Sequence, residues 1–297
     1  MNLSMRQLKL FEAICRCQSL TEAANEQAIS QSAASQALKE IENQLGYRLF
    51  RKTGRTLKLT EAGTLALPKV RQVLASLDSL RFPSEHFVGG VLNVSASETI
   101  ASYLMPQLLA NFVAHYPKVQ PQLNIDNTER VVQHIESGRA SVGFIEGPAY
   151  SVHAKSEMWL DDELVVFAQP GFFWSNKGFI PSSELAAQPW IVREQGSGTR
   201  AVFDTAFAQR HETPKIAMSL SRQEAIKQSA RAGLGVGCLS RLAVRDELAA
   251  NTLIELKTEL ALARQFTLLA HKDVSPNATL DTFLSFARQW RPALSQF

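Results

Sequence analysis

The chain has 297 residues, a net charge of +3 and three cysteines. That length carries two or three domains with ample core, and so few cysteines exclude a disulfide framework. No apolar run reaches the roughly 18 residues of a spanning helix, and no basic-then-apolar start with a cleavage site marks a secretory signal, so a cytoplasmic protein with no membrane partner is expected.

The charge is uneven. Residues 1–84 hold 12 Lys or Arg against 7 Asp or Glu, a net of +5, which leaves −2 for the remainder. A basic head on a near-neutral body fits nucleic-acid binding, and so does a solvated basic surface. Cys15 and Cys17 point to nearly opposite sides of any helix and cannot share a metal; core packing is expected for at least one.

In chain order, Leu8, Phe11, Ile14 and Cys15 give a helix over about 5–17 its apolar face. Thr21 is the expected cap of a short second helix, with Glu22 at its positive end. Ala23, Ala24 and Ala28 are small enough for another helix to pack closely, and Ile29-Ser30 forms a turn. Ser30 then caps a longer helix reaching Gly46. Wound at about 100° per residue, Ala34, Leu38, Ile41 and Leu45 form one apolar stripe, while Gln31, Ser32, Ser35, Gln36 and Lys39 share a polar face. Glu42 is the acidic exception, expected where the helix leaves a groove. Helix, short helix, tight turn, longer helix is the helix-turn-helix order. Taken alone, the last helix is equally an ordinary amphipathic surface helix.

Its neighbours decide. Leu57 and Leu59 alternate with Thr56, Lys58 and Thr60, a strand pattern, after the Gly-containing turn RKTGR at 51–55. Arg51, Lys52 and Arg55 therefore sit on a β-hairpin wing, placed to neutralise phosphates or enter a minor groove. A winged DNA-binding domain is expected over residues 1–60.

Residues 61–88 form a linker helix and hinge. Thr60 caps it, and Ala66, Val70, Val73, Leu77 and Leu80 follow a heptad seam that asks for a partner helix, so dimerisation is favoured over packing on the same chain. Pro68 should bend it. Pro83, Gly89 and Gly90 end it.

Residues 89–297 alternate strand and helix signals. Strands are expected at Val91–Ala96, Val119–Ile125 and Val142–Ile145, with one helix carrying Ile100, Leu104, Leu108 and Phe112 and another carrying Val131, Val132 and Ile135. Leu164–Ala168 crosses to a second lobe built on strands Trp190–Arg193, Ile216–Leu220 and Val236–Leu239. Phe266–Ala270 returns the chain to a final helix with Leu280, Phe283, Leu284 and Ala287. Lobe I covers about 89–162 and 268–297, lobe II about 163–267. Two crossovers make a hinged cleft.

Ligands of such folds sit beyond strand ends, at helix N-termini. Ser97, Thr99, Asn127, Thr128 and Glu146 mark those points in lobe I. Ser197, Thr199 and Arg200, within GSGTR, mark them in lobe II, where Ser221 caps another helix. Each polar residue alone is a helix cap; together they suit a small anion. Glu146 complicates that ligand: it stays protonated, binds an amine or takes part in closure.

No catalytic residues, metal ligands or cofactors are expected. No Walker loop, nucleophile elbow or metal-binding helix motif is present. GLGVG at 233–237 follows a helix and enters a strand, the reverse of a pyrophosphate site.

Residues 5–63 resemble the DNA-binding domain of the LysR-type transcriptional regulators, through MRQLKLFEAI, SLTEAA, ISQSAASQALKEIENQLGYRLF, TGR and LTEAG. The family often has Pro at Ser32, a larger aliphatic at Ala34 and Arg at Gln36; Gln36 can pair with adenine, whereas Arg favours guanine or phosphate. GVLNVSASETIASYLMPQLL, NTERVVQHIESGRASVGFIEGP, WIVREQGSGTR and EAIKQSARAGLGVG resemble the same family's inducer-binding domain, in which Asp often stands at Ser141. The EGP and GSGTR variants resemble members tied to sulfur or other small-anion metabolism. The resemblance implies an α+β multidomain protein: a winged helix-turn-helix, a long linker helix and a two-lobed, periplasmic-binding-protein-like effector domain. It implies double-stranded promoter DNA, a small-molecule effector, a homodimer or homotetramer, and RNA polymerase as partners.

Two other classes compete. A solute-binding or transport component predicts a secretory signal and no basic head, the opposite of this sequence. An enzyme acting on small acids in the cleft predicts turnover by deamination or decarboxylation.

Overall fold

Capping chemistry sets the N-terminal helices. The computed structural model describes residues 3–53, 56–79, 87–147, 151, 154–172, 178–272 and 277–292. Helix α1 (Met5–Cys17) opens on a capping box in which Ser4 and Gln7 satisfy each other's backbone N–H groups. Helix α2 (Leu20–Glu26) is capped by Ser19, not Thr21: Gln18 turns left-handed at φ 52°, Ser19 takes the extended backbone of a cap, and its hydroxyl accepts from the Glu22 N–H. Ala28, at φ 53°, shapes the turn before α3 (Gln31–Leu45). Ser30 caps α3 through the Ala33 N–H at 3.2 Å, and Gly46 ends it in the left-handed conformation.

The wing follows as β1 (Phe50–Thr53) paired antiparallel with β2 (Thr56–Leu59), in the register Phe50↔Leu59 and Arg51↔Lys58. Ala23, Ala24 and Ala34 are buried where the three helices meet, around a core of Leu10, Phe11, Ile14, Ile41, Leu49, Phe50 and Leu67. Phe11 and Phe50 pack edge to face at 5.5 Å.

Helix α4 (Glu61–Ser79) runs through Pro68, and Thr60 caps it by accepting from the Gly63 N–H at 3.0 Å. A Cβ on Gly63 would stand 2.1 Å from the Leu49 carbonyl oxygen, so only glycine permits this approach to the wing. Ala66 and Val70 pack on the head's own core beside Leu67, whereas Val73 is 45% exposed. The heptad seam is thus divided, its first half used within the chain. Leu80 and Pro83, expected in the seam and hinge, lie outside the described residues.

The chain divides into two compact units, one built on Met1–Phe87 and the other on most of Val88–Phe297. The second contains, in order, β3 (Gly90–Ser97), α5 (Glu98–Tyr103), α6 (Met105–His115), β4 (Val119–Asp126), α7 (Thr128–Glu136), β5 (Val142–Glu146), β6 (Ala154–Ala168), α8 (Ser182–Ala186), β7 (Pro189–Arg193), α9 (Gly198–Ala208), β8 (Lys215–Leu220), α10 (Gln223–Arg231), β9 (Val236–Ser240), α11 (Arg241–Ala249), β10 (Ile254–Leu256), β11 (Ala263–His271) and α12 (Ala278–Gln289). The single helix expected across Ile100–Phe112 is two, broken at Leu104. Pro106, which has no N–H to give, occupies the first turn of α6.

The strands lie in the order β4-β3-β5-β11-β6-β9-β7-β8, with β10 beside β6. β3 pairs in parallel with β4 and β5, and β7 with β8 and β9, so each lobe has its own parallel core. Both crossovers exist, but β6 is 15 residues long and starts well before Leu164. Its first half pairs with β11 in lobe I, and its end pairs with β9 and β10 in lobe II. Lobe I packs around Phe112, Phe144, Trp159 and Phe283; one face of lobe II packs around Trp190, Phe203 and Phe207. These continuous sheets and buried aromatics hold the loop residues at the strand ends in place.

Candidate DNA-reading surface and effector cleft

On α3, Gln31, Ser32, Gln36 and Lys39 are exposed and Ser35 is half-buried. Ser30 and Ser32 share a hydrogen bond at 3.0 Å, and Gln36 Nε2 donates to Glu40 at 3.2 Å. Ala34 and Ile41 turn the opposite face into the core. This is the geometry of a helix free to enter a major groove, with short polar side chains near its N-terminus.

Glu42 is not on that surface. It is 6% exposed, and Oε1 accepts from the Leu49 N–H at 2.7 Å and the Phe50 N–H at 3.2 Å, while Oε2 meets Arg48 at 2.9 Å. The acid expected to leave a groove instead ties the end of the reading helix to the start of the wing.

On the wing, Arg51 and Lys52 are exposed. Arg51 faces Lys58 across the ladder, so a second cation, exposed and absent from the sequence-based site, joins it on one face. Alternation alone placed Lys58 outward; only the register set it beside Arg51. Arg55 lies outside the described residues.

In the second unit two of the sequence-derived residues, Thr99 and Thr199, meet at Glu146, at the end of β5. Glu146 Oε1 accepts from the Thr99 N–H at 3.1 Å; Oε2 accepts from Thr199 Oγ1 at 2.7 Å and from Arg264 Nη1 at 2.8 Å. Thr99 belongs to lobe I, Thr199 to lobe II and Arg264 to the returning strand β11. Burial alone pushes the Glu146 carboxyl up, but Arg264, then Arg193, Thr199 and Thr99 outweigh it and hold its pKa at about 2. Glu146 is therefore ionised, not held as a neutral acid. Arg264 also donates to Asp162 at 2.6 Å and lies over Phe266. Burial pushes the Asp162 carboxyl up despite Arg264 and the Ser240 hydroxyl.

Two further sets of bonds join the lobes. Gln223 Nε2 donates to Thr99 Oγ1 at 2.7 Å, and Arg193 stands 3.1 Å from Glu98. On the other side, the Gly198 N–H donates to Thr128 Oγ1 at 3.2 Å, and Asn127 Nδ2 to Glu194 at 3.3 Å. A Cβ on Gly198 would lie 2.1 Å from the Glu146 carbonyl oxygen, so glycine lets the start of α9 meet β5.

Ser97 and Ser197 stand at the N-caps of α5 and α9, yet neither makes a side-chain cap bond. Ser97 Oγ is buried without a hydrogen-bond partner, as is Arg264 Nη2. Arg200 is drawn away to Asp204 and the Arg193 carbonyl. Ser221 does not cap α10; Arg222 holds that position, without a side-chain cap bond. Glu98, Asp162, Arg193, Glu194, Gln223 and Arg264 escaped the sequence reading. Arg264 lies at the start of β11 beside Gln265, and Asp162 lies between Asp161 and Glu163 in β6, so no break in an apolar pattern marks either.

Cys15 and Cys238 are buried, and burial pushes each thiol up to about 12, so both are inert packing residues. Among the described residues, no helix is long and apolar enough to cross a membrane.

A wing-flanked reading helix followed in the chain by a two-lobed sensor defines a ligand-responsive regulator of transcription. The family model described as "Bacterial regulatory helix-turn-helix protein, lysR family" matches residues 5–64, and "LysR substrate binding domain" matches residues 86–292. The chain belongs to the LysR family of transcriptional regulators. It is 37% identical over 289 residues, covering 96% of this chain and 97% of the relative, to the "Uncharacterized HTH-type transcriptional regulator YeiE" of Escherichia coli (strain K12). A full-length OxyR structure from Pseudomonas aeruginosa, that of a single-site variant, shares the fold, with a TM-score of 0.73 at 18% identity over 97% of this chain and 96% of that one. The regulatory domain of Synechocystis PCC6803 CcmR, solved in complex with 2-PG, matches 69% of this chain and 100% of its own, with a TM-score of 0.63 at 25% identity. The family models and these relatives are regulators, not enzymes.

Proposed function

We propose that a small anion binds between the lobes and changes how the paired heads hold promoter DNA. The observation that carries this is the buried Ser97 hydroxyl, without a hydrogen-bond partner, beside the Thr99–Glu146–Thr199 junction of the two lobes. The local charge is not cationic: the two guanidiniums of Arg193 and Arg264 are outnumbered by the four carboxyl groups of Glu98, Glu146, Asp162 and Glu194. Recognition of an anion therefore falls to hydroxyls and backbone N–H groups, with Ser97, Thr99, Asn127, Thr128, Ser197 and Thr199 supplying them. Glu146 acts in closure, and Arg200 braces the start of α9. The 2-PG bound by the similar CcmR domain supports this ligand class.

On the DNA side, Gln31, Ser32, Ser35, Gln36 and Lys39 face the groove, and Arg51, Lys52 and Arg55 meet phosphates. Residues 1–60 act as the reading head, 61–88 as the linker that pairs two chains, and 89–297 as the sensor. The working form is a homodimer or homotetramer in the cytoplasm. Ligand-driven closure alters head spacing, DNA bending and contact with RNA polymerase. Such coupling requires that the ligand bind the two arrangements with different affinity.

The test is a thermal-shift and calorimetric screen of the full chain against inorganic oxyanions, phosphorylated small acids and amino acids. An anion that raises Tm in wild type but not in Ser97→Ala, and that alters the footprint on promoter DNA, is expected. Binding confined to amino acids, or identical footprints with and without ligand, would overturn the reading.

A further inference from the structure

We propose that Glu40, held by Gln7, is a positioning residue that fixes the carboxamide of Gln36 so that it reads adenine over guanine. This rests on the reading of α3 as the groove-entering helix.

Three bonds carry it. Gln36 Nε2 donates to Glu40 Oε1 at 3.2 Å. The other oxygen, Oε2, accepts from Gln7 Nε2 at 3.3 Å. Gln7 is itself fixed, because Oε1 accepts from the Ser4 N–H at 2.9 Å within the capping box of α1. The start of α1 is thus linked through two side chains to the polar face of α3. Wound at about 100° per residue, Glu40 lies about 40° beyond Gln36, at the rim of that face. Four residues apart on a helix, the two side chains are natural neighbours.

A glutamine carboxamide has two N–H donors and one carbonyl acceptor. Unrestrained, it turns over freely and offers different donor and acceptor pairs to a base edge. With one N–H engaged by Glu40, one donor and one acceptor remain. That pair complements adenine, whose major-groove edge offers the N7 acceptor and the N6 donor. Guanine presents two acceptors, O6 and N7, which would need both donors. Glu40 removes the second donor. Its discrimination acts by exclusion as much as by attraction.

The experiment is selection of preferred duplexes from a randomised pool by the full chain, followed by affinities for all four base pairs at each selected position. Wild type is expected to prefer adenine at one position per half-site, by about tenfold or more over guanine. Gln36→Ala should level that position. Glu40→Ala should collapse the adenine-to-guanine ratio to within a few-fold there while leaving every other position unchanged. Glu40→Gln, whose carbonyl still accepts from Gln36, should restore most of it, and Gln7→Ala should weaken it partly. The double variant Gln36→Ala with Glu40→Ala should match Gln36→Ala in the adenine-to-guanine ratio. Loss of the acidic charge also raises affinity for all duplexes, which does not move the ratio. Retention of the full ratio in Glu40→Ala, or no effect of Gln36→Ala at any position, overturns the proposal while the reading head stands. Absence of any preferred sequence in wild type overturns the reading head itself, and the proposal with it.

Discussion

The carboxylate of Glu42 accepts a 2.7 Å hydrogen bond from the backbone N–H of Leu49, joining the last turns of the reading helix to the first residues of the wing. The same oxygen takes the Phe50 N–H. Glu42→Ala leaves both N–H groups without their partner in a buried place, at about 1–3 kcal/mol for each such group. The expected outcome is a head unit destabilised by about 2–4 kcal/mol in urea unfolding. Glu42→Gln, which keeps one carbonyl acceptor, should lose less. Equal stability of Glu42→Ala and wild type would show the bonds to be incidental.

Glu146 predicts a pH dependence. Its carboxyl is held at about 2 in the folded protein against an ordinary 4.5. The unfolded chain therefore binds the proton more readily, and the stability tied to ionised Glu146 is fully present above about pH 4.5. It declines as the pH falls through the window to about 2, where it is gone. Glu146→Gln removes one of the two carboxylates paired with Arg264, leaving Asp162 as its remaining charge partner, and should cost about 1.5–3 kcal/mol at pH 7. Thermal melts across pH 7 to 3 should show the gap between wild type and variant narrowing in acid. A constant gap would assign the loss to packing rather than charge.

Phosphate and base contacts are separable by salt. Arg51→Ala and Lys58→Ala should each weaken binding to all duplexes and reduce the slope of log affinity against log salt by about 1. Gln31→Ala should instead reduce the preference for the best sequence by about 1–3 kcal/mol if its contact is bidentate, with the slope unchanged. Fluorescence anisotropy across a salt series checks both. Equal effects of all three variants on specific and random DNA would dissolve the division.

Val73 in the α4 seam predicts association. Val73 is 45% exposed on a helix whose neighbouring seam positions, Ala66 and Val70, already pack on the head. Val73→Asp places a charge where a partner helix would bury it, and should move sedimentation toward the monomer. An unchanged oligomer would place the dimer contact elsewhere.

The head was largely legible because its contacts are local. The expected span of α1, the Ser30 cap and the inward stripe of Ala34 and Ile41 follow from spacing within one or two helical turns. Failures came where a partner lay beyond that range or where two local solutions competed. Thr21 was a sound cap chemically, yet Ser19 took the role once Gln18 had turned the backbone. Glu42 fell beside Gln31 on the helical wheel, and the N–H groups that bury it stand seven and eight residues on, across the turn into β1. In the sensor, hydroxyls at strand ends were visible as a pattern, because strand ends and helix starts recur in any doubly wound sheet. The charge state of Glu146 was not visible.

Sequence alone determined the order of modules, the helix-turn-helix and the two crossovers, because periodicity, caps and charge are written along the chain. Tertiary structure decided which acid is surface and which is core, which linker seam positions pack on the head, and which residues meet between the lobes. Arg264 stands 118 residues from Glu146 in the chain and 2.8 Å from it in space. An ionised carboxylate can remain buried only beside such a partner, and no local pattern records a distance closed by the fold.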